Sequence, residues 1–299
     1  MNGRDEDGAG KEDFRVKNRG FSSKFVSMEE AAKLVEDSAE LAMTGHMEMS
    51  PMSFIRELIR SGKRSLKLVC VGSAAINADL LIGAGAVERV EYSQITLGEH
   101  GLAPHFRRAF ETGRISGLEH ACPTMAAALQ AGASGIPFMP VRGLIGTDYM
   151  NVRDDFRAIT NPFDEKETIA VVPALRPDVA VFHAFQADVD GNVLASSSQN
   201  NRLLAQAAKR TIVTVEEVVG RGELSLGSGS FIPSLYLSAV VHAPNGAYPT
   251  GCPGYYAQDA AYVRDYAAAS KSEQAFESYL SKMVRDPGNR DAIGTAVPS

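Results

Sequence analysis

The sequence predicts an α/β protein with an open, mostly parallel sheet flanked by helices. β-branched runs alternate with amphipathic helical runs along most of the chain, which is the pattern of βαβ units with right-handed crossovers. The helical runs are punctuated by capping residues and glycine stops. Only one pair of strands, around Asp190-Gly191-Asn192, is joined by a short turn.

The elements follow in order. Ser27 reads as the N-cap of a helix over MEEAAKLVED, with Glu30 as the reciprocal capping acid. The strand ELAMTG ends at Gly45. Ser50 is expected to cap the next helix, with Pro51 at its first position, SFIRELIRS as its body and Gly62 just past its end. Its Phe54, Ile55, Leu58 and Ile59 sit at helical spacing and should face a sheet. Then come strand 66–71, helix 77–85, strand 87–97, helix 104–113, a short strand ISGLEH and helix 123–132. IPFMPVRG reads as extended. From Gly143 to Lys166 the register breaks, which implies a long functional loop or an inserted hairpin. Beyond it, TIAVVPA is a strand and DVAVFHAFQADVDGNV a hairpin; NRLLAQAAKR is a helix and TIVTVEEVV a strand. FIPSLYLSAVV, a Tyr-rich loop and two helices close the chain. The division expected is a charged arm over 1–20, one α/β domain over 21–284 and a tail over 285–299. There is no internal repeat.

Composition narrows the function. The 299 residues are 44% hydrophobic and 22% charged, with a net charge of -6. That leaves no basic footprint for nucleic acid or for an anionic membrane surface. No apolar run reaches the roughly 18 residues of a membrane span, and the first residues have no signal-peptide core. Three scattered cysteines, Cys70, Cys122 and Cys252, imply no disulfide framework and suit a cytoplasmic location. Neither nucleotide-binding loop is present, nor G-x-S-x-G. His46-x-Glu48 and His120-x-Cys122 lack the second ligand pair of a zinc site, so no metal is expected.

TLGEHGLAP (96–104) sets Glu99 and His100 between glycines at a strand end, where α/β proteins display chemistry. An ionised glutamate there could attack an activated acyl group without a base, giving an anhydride. Equally, Glu99 could cap or salt-bridge the helix that follows, and on chemistry alone that role is the stronger.

The stretch SQITLGEHGLAPHFRRAFETGRISGLEHACPTMAAALQAGASGIPFMPVRG (93–143) resembles the α half of family I CoA-transferases. PMSFIRELIRSG and NADLLIGAGAVERVE extend the likeness backwards; ADVDGNV, AQAAKRTIVTVEEVV and GYYAQDAAYVRDYAAAS extend it forwards. It spans Ser27 to about Ser270 and looks like the separate α subunits of the family, those of the glutaconate CoA-transferase kind. The resemblance implies the CoA-transferase fold, partnership with a homologous β subunit, and CoA moved between an acyl-CoA and a carboxylic acid. It also implies a glutamyl-CoA intermediate on the partner, no catalytic residue in this chain (Glu99 being the alternative), and no permanently bound cofactor beyond coenzyme A as substrate thioester. Gly45, His46, Glu48, Ser50, Glu99, His100 and Cys122 would then line the substrate site. In GHMEMSP, backbone amides could hold a developing oxyanion, and Glu48 would repel a second substrate carboxylate unless a cation offsets it. Ring-cleaving CoA-ester hydrolases of the superfamily use an acid near position 122. Cys122 stands there instead, and a small buried role is expected for it. A hydrolase, and a non-catalytic ligand-binding protein on the same fold, are the alternatives.

Overall fold

The computed structural model describes residues 22–225, 227 and 229–286. The expected arm over 1–20 and nearly all of the tail from 285 lie outside them. The first helix, α1 (Met28–Ala32), opens with the anticipated capping box: Glu30 N–H donates to Ser27 Oγ, and Ser27 N–H to the Glu30 carboxylate.

Among the described residues, seven parallel strands form the centre of the fold. β1 (Glu40–Met43), β2 (Leu66–Ala74), β3 (Val87–Ile95) and β4 (Ser116–Glu119) run outward in one direction. On the other side of β1 lie β8 (Val179–Asp188), β10 (Arg210–Val219) and β12 (Ala239–His242). The order β12-β10-β8-β1-β2-β3-β4 therefore reverses its winding at β1. β8 turns back at 189–192 into β9 (Val193–Ser196), which pairs with β11 (Gly229–Ile232); both of these pairings are antiparallel.

The alternation of side chains decides what covers each face. Leu41, Met43, Leu68 and Cys70 point to one side, against α2 (Met52–Arg60), α3 (Ile76–Gly83), α4 (Pro104–Glu111), α8 (Ala260–Ala269) and α9 (Glu273–Tyr279). Ala42, Val69 and Val71 point to the other, against α5 (Cys122–Ser134) and α7 (Asn201–Ala207). Both faces are buried, as an all-parallel core requires.

The inserted hairpin expected as one of two alternatives is present, and one other expectation is corrected. The irregular stretch after Gly143 holds a short helix, α6 (Tyr149–Val152), and the hairpin β6 (Arg157–Asn161) to β7 (Asp164–Pro173). With β5 (Phe138–Val141) these strands form a separate antiparallel sheet. β6 is mostly exposed, so no burial pattern marks it. Ser50 does not cap α2, which starts at Met52 with Pro51 at the cap position and no side-chain cap bond.

The N-terminus of α4 is capped from a distance. Phe106 N–H donates to Asp79 Oδ1 at 2.7 Å, and the Tyr266 hydroxyl donates to Oδ2 at 2.7 Å. Asp79 is fully buried, and burial pushes its carboxyl up to about 6 against these bonds. In the unfolded chain an aspartate titrates near ~3.9. Between these values the folded chain holds a proton the unfolded chain has released. This group's contribution to stability therefore falls as pH rises from about 4 to about 6, and is lost above that. Asp79→Asn should thus gain stability relative to the native chain as pH rises through that window. Urea denaturation of both from pH 4.5 to 7.5 checks it; a pH-independent difference would contradict it.

Candidate functional site

A crevice opens beyond the carboxyl ends of β1 and β2, beside the point at β1 where the winding reverses, the place where open α/β sheets bind ligands. The backbone leaving β1 builds its floor. Gly45 has φ +100°, and a Cβ there would lie 2.5 Å from Ser50 Cα, so only glycine fits. Asn77 Nδ2 donates to Gly45 O at 2.9 Å, and Ser50 Oγ donates to His46 O at 2.7 Å. Thr44 Oγ1 donates to Asn201 Oδ1 at 2.6 Å, tying the strand end to α7.

A second segment straps this loop down. Met49 N–H donates to Gly251 O at 2.8 Å, Gly251 N–H to Met47 O at 2.9 Å, and Ser50 N–H to Thr250 Oγ1 at 3.3 Å. The strap, 245–258, is held in turn by a buried acid. Glu216 accepts from the Asn245 amide at 2.6 Å and from the Tyr256 hydroxyl, and it lies 2.7 Å from His183 Nε2. His183 Nδ1 lies 2.7 Å from Thr214 Oγ1. Burial alone would raise the Glu216 carboxyl; the His183, Tyr256 and Asn245 bonds outweigh it and hold the group below the usual carboxylate range. Cys252 completes the cluster, its thiol pushed up by burial and by the Glu216 charge. Donor atoms of His183, Glu216 and Cys252 lie within 4.8 Å of one another, close enough to surround a metal ion. Both nitrogens of His183 and both oxygens of Glu216 are already engaged, so the network is complete as a structural clamp.

The crevice encloses about 420 Å³ between loop 45–48, the β2 end at 71–73, residues 198–200 and Gln258. Gly45, His46 and Glu48 line it; Ser50 lies buried beneath, fixing its floor. His46 Nε2 is 3.4 Å from Thr96 Oγ1, and burial lowers its pKa. His100 reaches the rim through Gln258, 3.2 Å from its Nε2. Glu99 is not on the wall. Its side chain is 81% exposed, with His100 at 3.6 Å. Nor does it cap α4, since Asp79 occupies that role.

Cys122 is exposed, not buried as expected, and stands at the start of α5 outside the crevice. Its neighbour His120 turns inward, 2.5 Å from Glu91 Oε1 and 2.8 Å from Thr124 Oγ1. Arg153, itself buried, donates to the same Glu91 oxygen at 3.2 Å and to Glu119 O at 2.8 Å. His120 and Cys122 therefore do not converge on one point. Sequence reasoning missed Gln199, Asn200, Gln258 and the clamp, because no local spacing joins them to residues 45–48.

Two substitutions test this frame. Gly45→Ala adds a backbone clash to the strain of about 1–3 kcal/mol that a side chain meets at positive φ, so its melting temperature should fall further than for the same change at Gly62, which has φ +68° but open space around a Cβ. Glu216→Ala leaves the buried His183 without its acid partner, a loss of about 3–5 kcal/mol that urea denaturation would read.

The likenesses to known proteins agree with this geometry. Residues 25–243 match the coenzyme A transferase family. The A-type subunit of 3-oxoadipate CoA-transferase from Pseudomonas knackmussii is 34% identical over 90% of this chain and 95% of its own. The crystal structure of glutaconate coenzyme A-transferase from Acidaminococcus fermentans superposes with a TM-score of 0.84 at 30% identity, over 91% of this chain and 92% of that one. The cholesterol ring-cleaving hydrolase IpdA subunit of Rhodococcus jostii is 28% identical over 92% of this chain and 95% of its own. On its motifs, its fold and these matches, the chain belongs to the coenzyme A transferase family, among its A-type subunits.

Proposed function

We propose that this chain is the α subunit of a heteromeric CoA-transferase, and that its crevice cradles the acyl group while a glutamate on a homologous β subunit makes the attack. The partner carboxylate would add to the thioester carbonyl and expel CoA thiolate, leaving an acyl-glutamyl anhydride. The thiolate would then attack the glutamyl carbonyl, releasing the first acid and forming a glutamyl-CoA thioester. A second carboxylic acid reverses both steps and leaves as the new acyl-CoA. Covalent relay divides one difficult transfer into easier ones. Coenzyme A enters only as substrate thioester, no permanently bound cofactor takes part, and a reducing cytoplasm suits the three free cysteines.

The observation that carries this reading is the placement of Glu99. The acid that the sequence singles out is solvent-exposed and off the crevice wall. What this chain offers the acyl group is a floor loop held on both sides: the His46, Met49 and Ser50 amides donate to Glu48 O, Gly251 O and Thr250 Oγ1, so a developing oxyanion would draw on the amides of Met47 and Glu48. Loops 96–104 and 120–124 would frame the partner's approach.

Hydrolysis of a CoA ester is the second reading, favoured by the 28% identity to a ring-cleaving hydrolase subunit. Cys122, standing where the resemblance puts that reaction's acid, weighs against it. The transferase relatives are named for 3-oxoadipate and glutaconate, both dicarboxylic acids.

Co-expression with a β-type chain, followed by incubation with acyl-CoA and borohydride, tests the assignment. We expect CoA exchange between acids only in the mixture, and mass spectrometry should find the reduced glutamyl residue on the partner. Exchange by this chain alone, with loss on Glu99→Ala, would overturn it. Release of free CoA without an acceptor acid would favour the hydrolase.

A further inference from the structure

The crevice beside β1 carries charge of only one sign. Among the described residues no lysine or arginine lines it, and Glu48 is the acid on its wall. His46 supplies no compensating charge. Burial lowers its imidazole below the usual range, with the Thr96 bond opposing only in part, which disfavours the charged ring. Gln199 and Gln258 contribute amides, while Met47 and Val71 contribute apolar surface. A pocket of about 420 Å³ holds a short acyl tail, and its polar groups can bond a keto or hydroxyl oxygen.

Glu48 is held there by its backbone. Its carbonyl accepts from His46 N–H at 3.2 Å and from Gln199 Nε2 at 3.4 Å, and its residue bridges Gly251 of the strap. The loop thus fixes where the side chain starts, and the clamp at Glu216 fixes the strap. A second carboxylate entering this pocket would meet the like charge of Glu48, with no lysine or arginine among the described residues that line it.

We propose that the crevice takes acyl groups whose far end is uncharged, and that Glu48 discriminates against acyl groups carrying a second carboxylate. This rests on the CoA-transfer reading and narrows its substrates to monocarboxylic acids. Repulsion between unit charges in a partly solvated site is enough for about a tenfold preference, and salt weakens it.

The matched pair pentanoate and glutarate tests the proposal, because glutarate carries a carboxylate where pentanoate ends in a methyl group. The assembled heteromer is assayed with acetyl-CoA as donor and each acid as acceptor. The ratio of kcat/KM for pentanoate over glutarate should be ten or more. Glu48→Gln should shrink that ratio about tenfold, and Glu48→Lys should shrink it further or invert it. Raising the ionic strength of the native enzyme should also move the ratio towards unity, a readout independent of any variant. A ratio near one in the native enzyme, or one that neither substitution nor salt moves, would overturn the proposal while leaving CoA transfer intact. No exchange with either acid or with any other acceptor would instead sink the transferase reading, and this inference with it.

Discussion

Everything at the crevice depends on β1 lying between β2 and β8. These two neighbours lead their connections away in opposite directions, so no crossover covers the carboxyl end of β1. Backbone polar groups emerging there need partners. They find them in Asn77, in Ser50 and in a strap contributed some 200 residues later by the segment around Gly251. The opening and its rigid floor are two results of one topological fact.

The strap explains why two strands far from the crevice carry buried polar residues. His183 on β8 and Glu216 on β10 sit where an apolar side chain would pack. An apolar pair of similar volume would cost less to bury. It could not hold the Asn245 amide or the Tyr256 hydroxyl, and with them goes the pairing of Gly251 to residues 47 and 49. Gly246 approaches the His183 ring so closely that a Cβ would sit 2.7 Å from it. The polar core is thus a positioning device whose effect is felt about one loop away.

Local features were legible in the sequence and distant ones were not. The capping box at Ser27 and Glu30 needs four consecutive residues, and the turn at 190–192 needs three, so both could be read directly. The cap of α4 could not, because Asp79 lies on another helix, 27 residues before Phe106. Ser50 looked like a cap because serine before proline is a helix start. The loop instead turns its hydroxyl back to His46, since its own amide is drawn to Thr250. At 122 the neighbours decide the matter: His120 and Thr124 take the inward side, which leaves the cysteine outside. Of the seven residues singled out for the site, Gly45, His46 and Glu48 came from the family resemblance and line the crevice, whereas its Gln199 and Gln258 carry no local mark at all.

The proposed relay demands dryness, because an anhydride or a glutamyl thioester exposed to water would be hydrolysed. Taken singly, this chain leaves its crevice open, with Glu48 and Glu99 reaching solvent. A surface that fixes backbone amides yet leaves one side uncovered is of little use by itself and well suited to receive a second chain. On the proposed reading the partner would bring both the carboxylate and the missing wall. Closure would then raise the weight of every charge already present, Glu48 foremost, so that selection between acyl tails becomes sharpest in the state that performs the transfer.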